Sequence, residues 1–200
     1  MSRSNDIAGL TTSILDGVTA TEVGLGNVTN ESKATMFTSP TFTGTVSGVI
    51  KRAIEDDLSG TGTTFTGIPA GVNTIIISFY AVSLNGSSNI KVLIGDSGGI
   101  ETGSYEAVGG YFGAATYNEN YTNSFPITLQ GAGREFSGNM VLTNTGSNRW
   151  SSSHSGYIDT NKIAGGGGRK TLSDTLTQVE IKAGGSDNFD TGYVNILYSG

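Results

Sequence analysis

"VNTIIISFYAVSLNGSSNIKVLIGDSGG", Val72–Gly99, is the stretch whose reading decides the fold. From Val72 to Leu84 it is β-branched and aromatic around a central apolar run, which predicts a buried strand. Asn85-Gly86 is a strong hairpin signal. Ile90–Gly95 alternates apolar and other residues, so it is expected to pair with the strand before it. Asp96–Gly99 predicts a second turn.

The pattern continues downstream. Tyr105–Phe112, Ile127–Leu129, Phe136–Leu142, Trp150–Ile158, Gln178–Ala183 and Tyr193–Tyr198 all read as strands, with Gly, Asn and Ser filling the gaps. No convincing helix follows Leu58. Regularly spaced short strands with such turns predict an antiparallel β-sandwich, jelly-roll-like, over residues 59–200. At about 140 residues such a head can bury a core.

Upstream of Gly60 the character changes. Ile7, Leu10 and Ile14 fall on one stripe that is also a heptad seam, predicting a short helix from Asn5 to Leu15. Ser4 or Asn5 would cap it and Gly17 would end it. About three turns are marginal alone but reasonable against copies of the same helix. The next stretch, Val23–Val46, is rich in Thr, Asn, Ser and Gly, with isolated apolar residues at Leu25, Val28, Met36, Phe37 and Phe42. Pro40 and its Thr-Phe-Thr-Gly neighbours argue against helix. Lys51–Leu58 reads as a charged hinge or one more helical turn. Residues 1–58 are therefore expected to form an attachment and shaft segment ahead of the head.

Composition narrows the function classes. Charged residues make up 14% of the 200, the net charge is -6, and glycines number 31. A negative surface repels phosphate backbones, so nucleic acid is not an expected partner. Without cysteine, no disulfide or thiolate metal site is possible. No apolar run reaches the ~18 residues of a membrane span, so no membrane insertion is expected, and "MSRSNDIAGL" lacks a signal-peptide core. The chain is expected to be soluble as made, with release by a route such as lysis.

Several stretches invite a chemical reading. Ala164–Thr171, "AGGGGRKT", has the wrong glycine spacing and no α/β context for a phosphate loop, and is expected to be an exposed loop. Gly184–Asp190, "GGSDNFD", occurs once, whereas a calcium nonapeptide needs stacked copies; a polar turn between the last two strands is expected. His154 is the single histidine. No G-x-S-x-G elbow accompanies it, so a polar or interface role is expected. Glu101 with Glu106, or Glu119 with Glu135, are conceivable carboxylate pairs for glycoside hydrolysis, but nothing marks them. Trp150 reads as a core-strand residue. Tyr117–Asn123, "YNENYTN", is the strongest ligand-binding candidate. Tyr117 and Tyr121 offer aromatic faces for sugar C–H groups, and Asn118 and Asn120 offer amides for hydroxyls, from what reads as a loop. No catalytic residue, metal or cofactor is expected.

Two groups of residues resemble a known family. Asp16–Gly44 contains "LGNVTNESKATMF" (Leu25–Phe37) followed by "SPTFTG" (Ser39–Gly44), similar to shaft and linker motifs of tailed-bacteriophage fibre proteins. "FTGIPAGVNTIIISF" (Phe65–Phe79), "LIGDSGGIETGSY" (Leu93–Tyr105) and Thr171–Gly200 resemble β-sandwich head modules of phage virion proteins and tail fibres. The resemblance implies a homotrimer located in the virion after synthesis in the bacterial host cytoplasm. Its N-terminal segment would attach to other tail or virion proteins, and its head would meet a host surface glycan or protein. Ile7, Leu10, Ile14, Leu25, Val28, Phe37 and Phe42 would meet their symmetry mates at the three-fold axis. The shaft signature occurs once. Residues 1–58 would span at most roughly 190 Å fully extended at ~3.3 Å each, so a short fibre or tip is implied. An adaptor or capsid decoration protein is the alternative role. A depolymerase tailspike does not fit a chain without β-helix repeats.

Overall fold

The structure is a computed structural model, and it describes residues 51–52, 56–159 and 161–200. By contacts the chain divides into Met1–Val46 and Ser47–Gly200, and every described residue belongs to the second unit. The expected N-terminal helix, the shaft and the seven proposed trimer-axis residues lie outside the described residues.

Fourteen strands and no helix occur among the described residues. In chain order they are β1 (Lys51–Arg52), β2 (Asp56–Asp57), β3 (Gly62–Phe65), β4 (Thr74–Leu84), β5 (Ile90–Asp96), β6 (Gly99–Ile100) and β7 (Tyr105–Gly113). They continue as β8 (Tyr117–Tyr121), β9 (Phe125–Ile127), β10 (Phe136–Asn144), β11 (Arg149–Asp159), β12 (Lys162–Thr171), β13 (Gln178–Ala183) and β14 (Phe189–Ser199). A nine-stranded sheet runs β1-β14-β4-β10-β11-β12-β7-β8, with β2 also on β14. A five-stranded sheet runs β3-β13-β5-β6, with β9 on β5. All pairings are antiparallel. The two sheets share one core, built from Ile75, Ile77, Met140, Leu142 and Ile196 of the large sheet and Ile90, Val92, Ile94, Val179 and Ile181 of the small one. The mainly β, antiparallel character read from the sequence is thus what the head has.

Three local expectations are corrected. First, β4 and β5 do not pair: β4 lies between β10 and β14 in the large sheet, while β5 lies in the small one. Asn85-Gly86 is therefore the crossing between sheets. Neither residue has the positive φ that a tight two-residue hairpin demands. Instead Asn85 N–H donates to Asn188 O (3.0 Å) and Asn188 N–H donates to Asn85 Oδ1 (3.0 Å), tying this crossing to the one between β13 and β14. The turn at Asp96–Gly99 does form a hairpin, with Gly98 N–H on Asp96 Oδ1 at 2.7 Å and Gly99 at φ 122.

Second, Lys51–Arg52 and Asp56–Asp57 are short strands paired with β14 rather than a hinge or helical turn. β14 offers an open ladder edge there, and satisfying its backbone groups outweighs the local charge pattern.

Third, the glycine run is a strand in the middle of the large sheet, not an exposed loop. Gly165–Gly168 face Ser155–Ser152 of β11 on one side and Gly110–Ala107 of β7 on the other. Glycine weakens an isolated strand, but here both flanking strands supply hydrogen bonds, and at Gly166, Gly167 and Gly168 the close approach of neighbouring groups leaves no room for a side chain. A Cβ on Gly168 would lie 2.5 Å from the Ala107 Cβ.

One bulge sets the phase of the core. Ala81 has φ 50 and its N–H donates to Ser137 Oγ at 2.9 Å, where the β4–β10 register shifts. Before it Ile75, Ile77 and Phe79 point inward; after it Val82 and Leu84 do. Tyr80, displaced outward, is 68% exposed.

Candidate functional site

The predicted ligand stretch is not a loop but β8, the edge strand of the large sheet, paired to β7 with Ala107 opposite Tyr121 and Tyr111 opposite Tyr117. Successive side chains on a strand point to opposite faces. The four predicted residues are therefore split. Tyr117, Glu119 and Tyr121 share the face that carries the core, and Asn118 and Asn120 stand on the outer face, both exposed.

On the inner side the tyrosines are engaged with protein groups. Both hydroxyls donate to Glu119 Oε2, Tyr117 at 2.9 Å and Tyr121 at 2.8 Å. Tyr121 also accepts from Asn89 Nδ2, and Asn89 Oδ1 takes the N–H of Leu129 at 2.9 Å. Burial and the Glu119 bond push the Tyr121 phenol well above its usual range. Tyr117 stacks on Tyr111 at 5.8 Å between ring centroids. This cluster fastens the edge strand to the β9–β10 connection.

The outer face carries a groove of about 600 Å³. It opens over the ends of β7, β11 and β12 and is lined by Ser104, Glu106, Thr145, Arg149, Trp150, Ser151, Arg169, Lys170 and Thr171. A more apolar depression of about 340 Å³ continues it across Val108 and Gly167 to Asn120 on β8, sharing Glu106. The ladder dictates these neighbours: Glu106 faces Arg169, and Arg169 faces Ser151. Glycine has the matching role on this side, since Gly167 adds no side chain to the floor. Arg169 Nη2 contacts Glu106 Oε2 at 2.6 Å, with both side chains about 70% exposed (73% and 69%). Arg149 Nε donates to Gly146 O at 3.1 Å, which aims its guanidinium over the groove end.

Beneath the groove lies a polar layer. Lys170, 4% exposed, contacts Glu101 Oε2 at 2.5 Å and lies 5.4 Å from the Tyr105 ring centroid. Burial alone would raise the Glu101 carboxyl, but bonds from Lys170 and Ser173 hold it below its ordinary value. Along β11, Trp150, Ser152 and His154 all point inward and are buried. The Trp150 Nε1, Ser152 Oγ and both His154 ring nitrogens have no hydrogen-bond partner among the described residues. Burial pushes the His154 pKa down to about 4.

The other end of the outer face is apolar. Tyr193 pairs with Tyr80, and Tyr157 pairs with Ile163, which pairs with Phe112. All five are exposed. The row spans β14 to β7, five inter-strand steps or roughly 24 Å at ~4.8 Å each, and is interrupted at β10, which presents Ser137 opposite Tyr157.

Sequence reasoning singled out Asn118 and Asn120, of which Asn120 lines the adjoining depression and Asn118 stands exposed on the same face opposite Gly110, and it missed Arg149, Arg169 and the apolar row. The period-2 alternation of each strand could have found the faces, but only the strand order places them side by side. The conceivable carboxylate pairs have other engagements: Glu101 with Lys170, Glu106 with Arg169, and Glu119 with two tyrosines. Among the described residues no group of three or more His, Asp or Glu is arranged to hold a metal ion. No protein-family model, no curated protein and no solved structure matches the chain.

Proposed function

We propose that this chain is a non-enzymatic bacteriophage fibre protein whose jelly-roll-like head adsorbs the virion to a bacterial surface. The observation that carries the reading is the order of its parts. A shaft-like Leu25–Gly44, with the "LGNVTNESKATMF" and "SPTFTG" elements, precedes an all-β head with a broad exposed sheet face. In this reading residues 1–50, ahead of the first strand of the head's large sheet, form the attachment segment and shaft, and three chains join through Ile7, Leu10, Ile14, Leu25, Val28, Phe37 and Phe42. The head binds host glycan or protein through the outer face that Asn118 and Asn120 share, with Tyr117 and Tyr121 holding the edge strand in place. A polar groove continued by a more apolar depression suits sugar rings, which present hydroxyls at their rims and C–H groups on their faces.

A second reading is favoured by the row from Tyr193 to Phe112. Exposed apolar surface of that extent commonly packs against a neighbour. It would make the chain a virion component without receptor, a fibre adaptor or capsid decoration protein. Adsorption decides between the two: labelled full-length protein is mixed with a candidate host and with a non-host strain. Selective binding that free phage competes away supports the receptor-binding reading. Absence of binding by a trimeric preparation favours the adaptor.

A further inference from the structure

We infer that the outer-face groove between β7, β11 and β12 binds an anionic saccharide, with Arg149 and Arg169 holding its carboxylate or phosphate. This deepens the adsorption reading by naming a ligand class for its face, and it rests on that reading for its biological meaning only.

Charge is the first argument. The chain carries a net charge of -6. The groove reverses that sign: three cations line it against one carboxylate, Glu106. Lys170 is neutralised by Glu101, which leaves Arg149 unbalanced by any lining acid. A locally positive groove on an acidic protein attracts anions while the remaining surface repels them.

Geometry is the second. Arg149 faces Thr171, two residues along β12 from Arg169. The two arginines are thus diagonal neighbours on one face, about 7–8 Å apart at the backbone. Each guanidinium presents five donors in a planar fork that matches carboxylate or phosphate oxygens. Among the described residues, hydrogen bonds engage one nitrogen of each, Arg149 Nε and Arg169 Nη2.

The remaining lining decides for a sugar over a bare anion. Ser104, Ser151, Thr145 and Thr171 supply hydroxyls, and Asn120 and Val108 continue the surface in the adjoining depression. A volume of about 600 Å³ accommodates a short saccharide rather than a single ion. Glu106 then acts as a built-in competitor: its contact with Arg169 must loosen for the ligand to take that guanidinium.

The test uses the full-length protein, with the emission of Trp150, the single tryptophan and part of the groove lining, as the readout. Trigalacturonate supplies the carboxylate arm, glucose 6-phosphate the phosphate arm, and maltotriose the neutral control. The expected result is saturable binding of one or both anionic probes, at least tenfold tighter than maltotriose and weakened by added salt. Arg149→Ala with Arg169→Ala should weaken it at least tenfold, and Glu106→Gln should strengthen it about threefold. These side chains are exposed, so circular dichroism should show intact folding. Binding of maltotriose as tight as the anions, or anion binding indifferent to all three substitutions, would overturn the inference. So would no saturation by either anionic probe at millimolar concentration. The adsorption assay is read separately: a double-arginine variant that loses the probe yet adsorbs normally leaves the anion site standing and moves adsorption elsewhere.

Discussion

His154 lies directly opposite Gly166 in the β11–β12 ladder, and a Cβ on that glycine would stand 2.6 Å from the imidazole Cε1 and 2.3 Å from the Val108 carbonyl oxygen. The buried ring is accommodated because its neighbour has no side chain. The adjacent Gly165 points the other way, and a Cβ there would meet nothing closer than 3.7 Å. Gly166→Ala should therefore destabilise the head by about 1–3 kcal/mol through overpacking. Gly165→Ala should be neutral or stabilising by ~0.5 kcal/mol, since alanine loses less freedom on folding. Urea denaturation of the two variants checks the contrast. Equal losses would mean that the sheet does not have this phase.

The same histidine makes the fold acid-sensitive. Its folded pKa of about 4 lies below the ordinary 6.5, so between those values the unfolded chain binds a proton that the folded chain refuses. Stability should fall as pH drops through that window, by about 1.4 kcal/mol per pH unit and about 3 kcal/mol in all. Asp96, Glu101 and Asp187, whose carboxyls are held below their usual values, act in the same direction as they protonate at lower pH. Comparing the native chain with His154→Leu at pH 7 and pH 5 isolates the imidazole. The variant should lose most of the pH 5 penalty.

Lys170, whose side chain is 4% exposed, and Glu101 form a largely buried ion pair. Glu101→Gln should cost about 2 kcal/mol, because it leaves the ammonium desolvated beside Tyr105 without its counter-charge. It also weakens the acceptor of the Ser173 N–H and hydroxyl, both at 2.8 Å. Replacing both residues together, Lys170→Met with Glu101→Gln, should cost less than Glu101→Gln alone. A double variant that is the less stable of the two would contradict this account. Thermal melts at neutral pH suffice.

Tyr121→Phe removes the hydroxyl shared by Asn89 and Glu119 and should cost about 1 kcal/mol. Adsorption should be unchanged, because the lost group faces inward. Asn120→Asp, on the outer face, should leave stability within about 0.5 kcal/mol while adding a negative charge beside the groove. If host binding is as proposed, Asn120→Asp weakens it and Tyr121→Phe does not.

Assembly follows from the segment ahead of the head. The full chain should be trimeric by light scattering, and deletion of residues 1–50, which spares β1, β2 and the core residue Leu58, should lower the association. A monomeric full-length chain would remove the reason for the apolar spacing at Leu25, Val28, Phe37 and Phe42.

The sequence by itself determined the class of the head and the position of most strands. Runs such as Val72–Leu84 and Gln178–Ala183 carry the β-branched periodicity that any pairing would bury, and that property is local. Trp150 as a core residue was legible for the same reason, and the Asp96–Gly99 hairpin because its turn chemistry is self-contained. Only the tertiary structure decided which strands pair. Asn85-Gly86 has hairpin chemistry, yet the chain crosses to the other sheet there, because β4 satisfies its backbone against β10 and β14, remote in sequence. The glycine run reads as a loop in isolation and becomes a strand only between β11 and β7. The groove is non-local in the same way. Arg149, Arg169 and Glu106 lie on three strands, and a ladder of hydrogen bonds, not their spacing in the chain, sets them side by side.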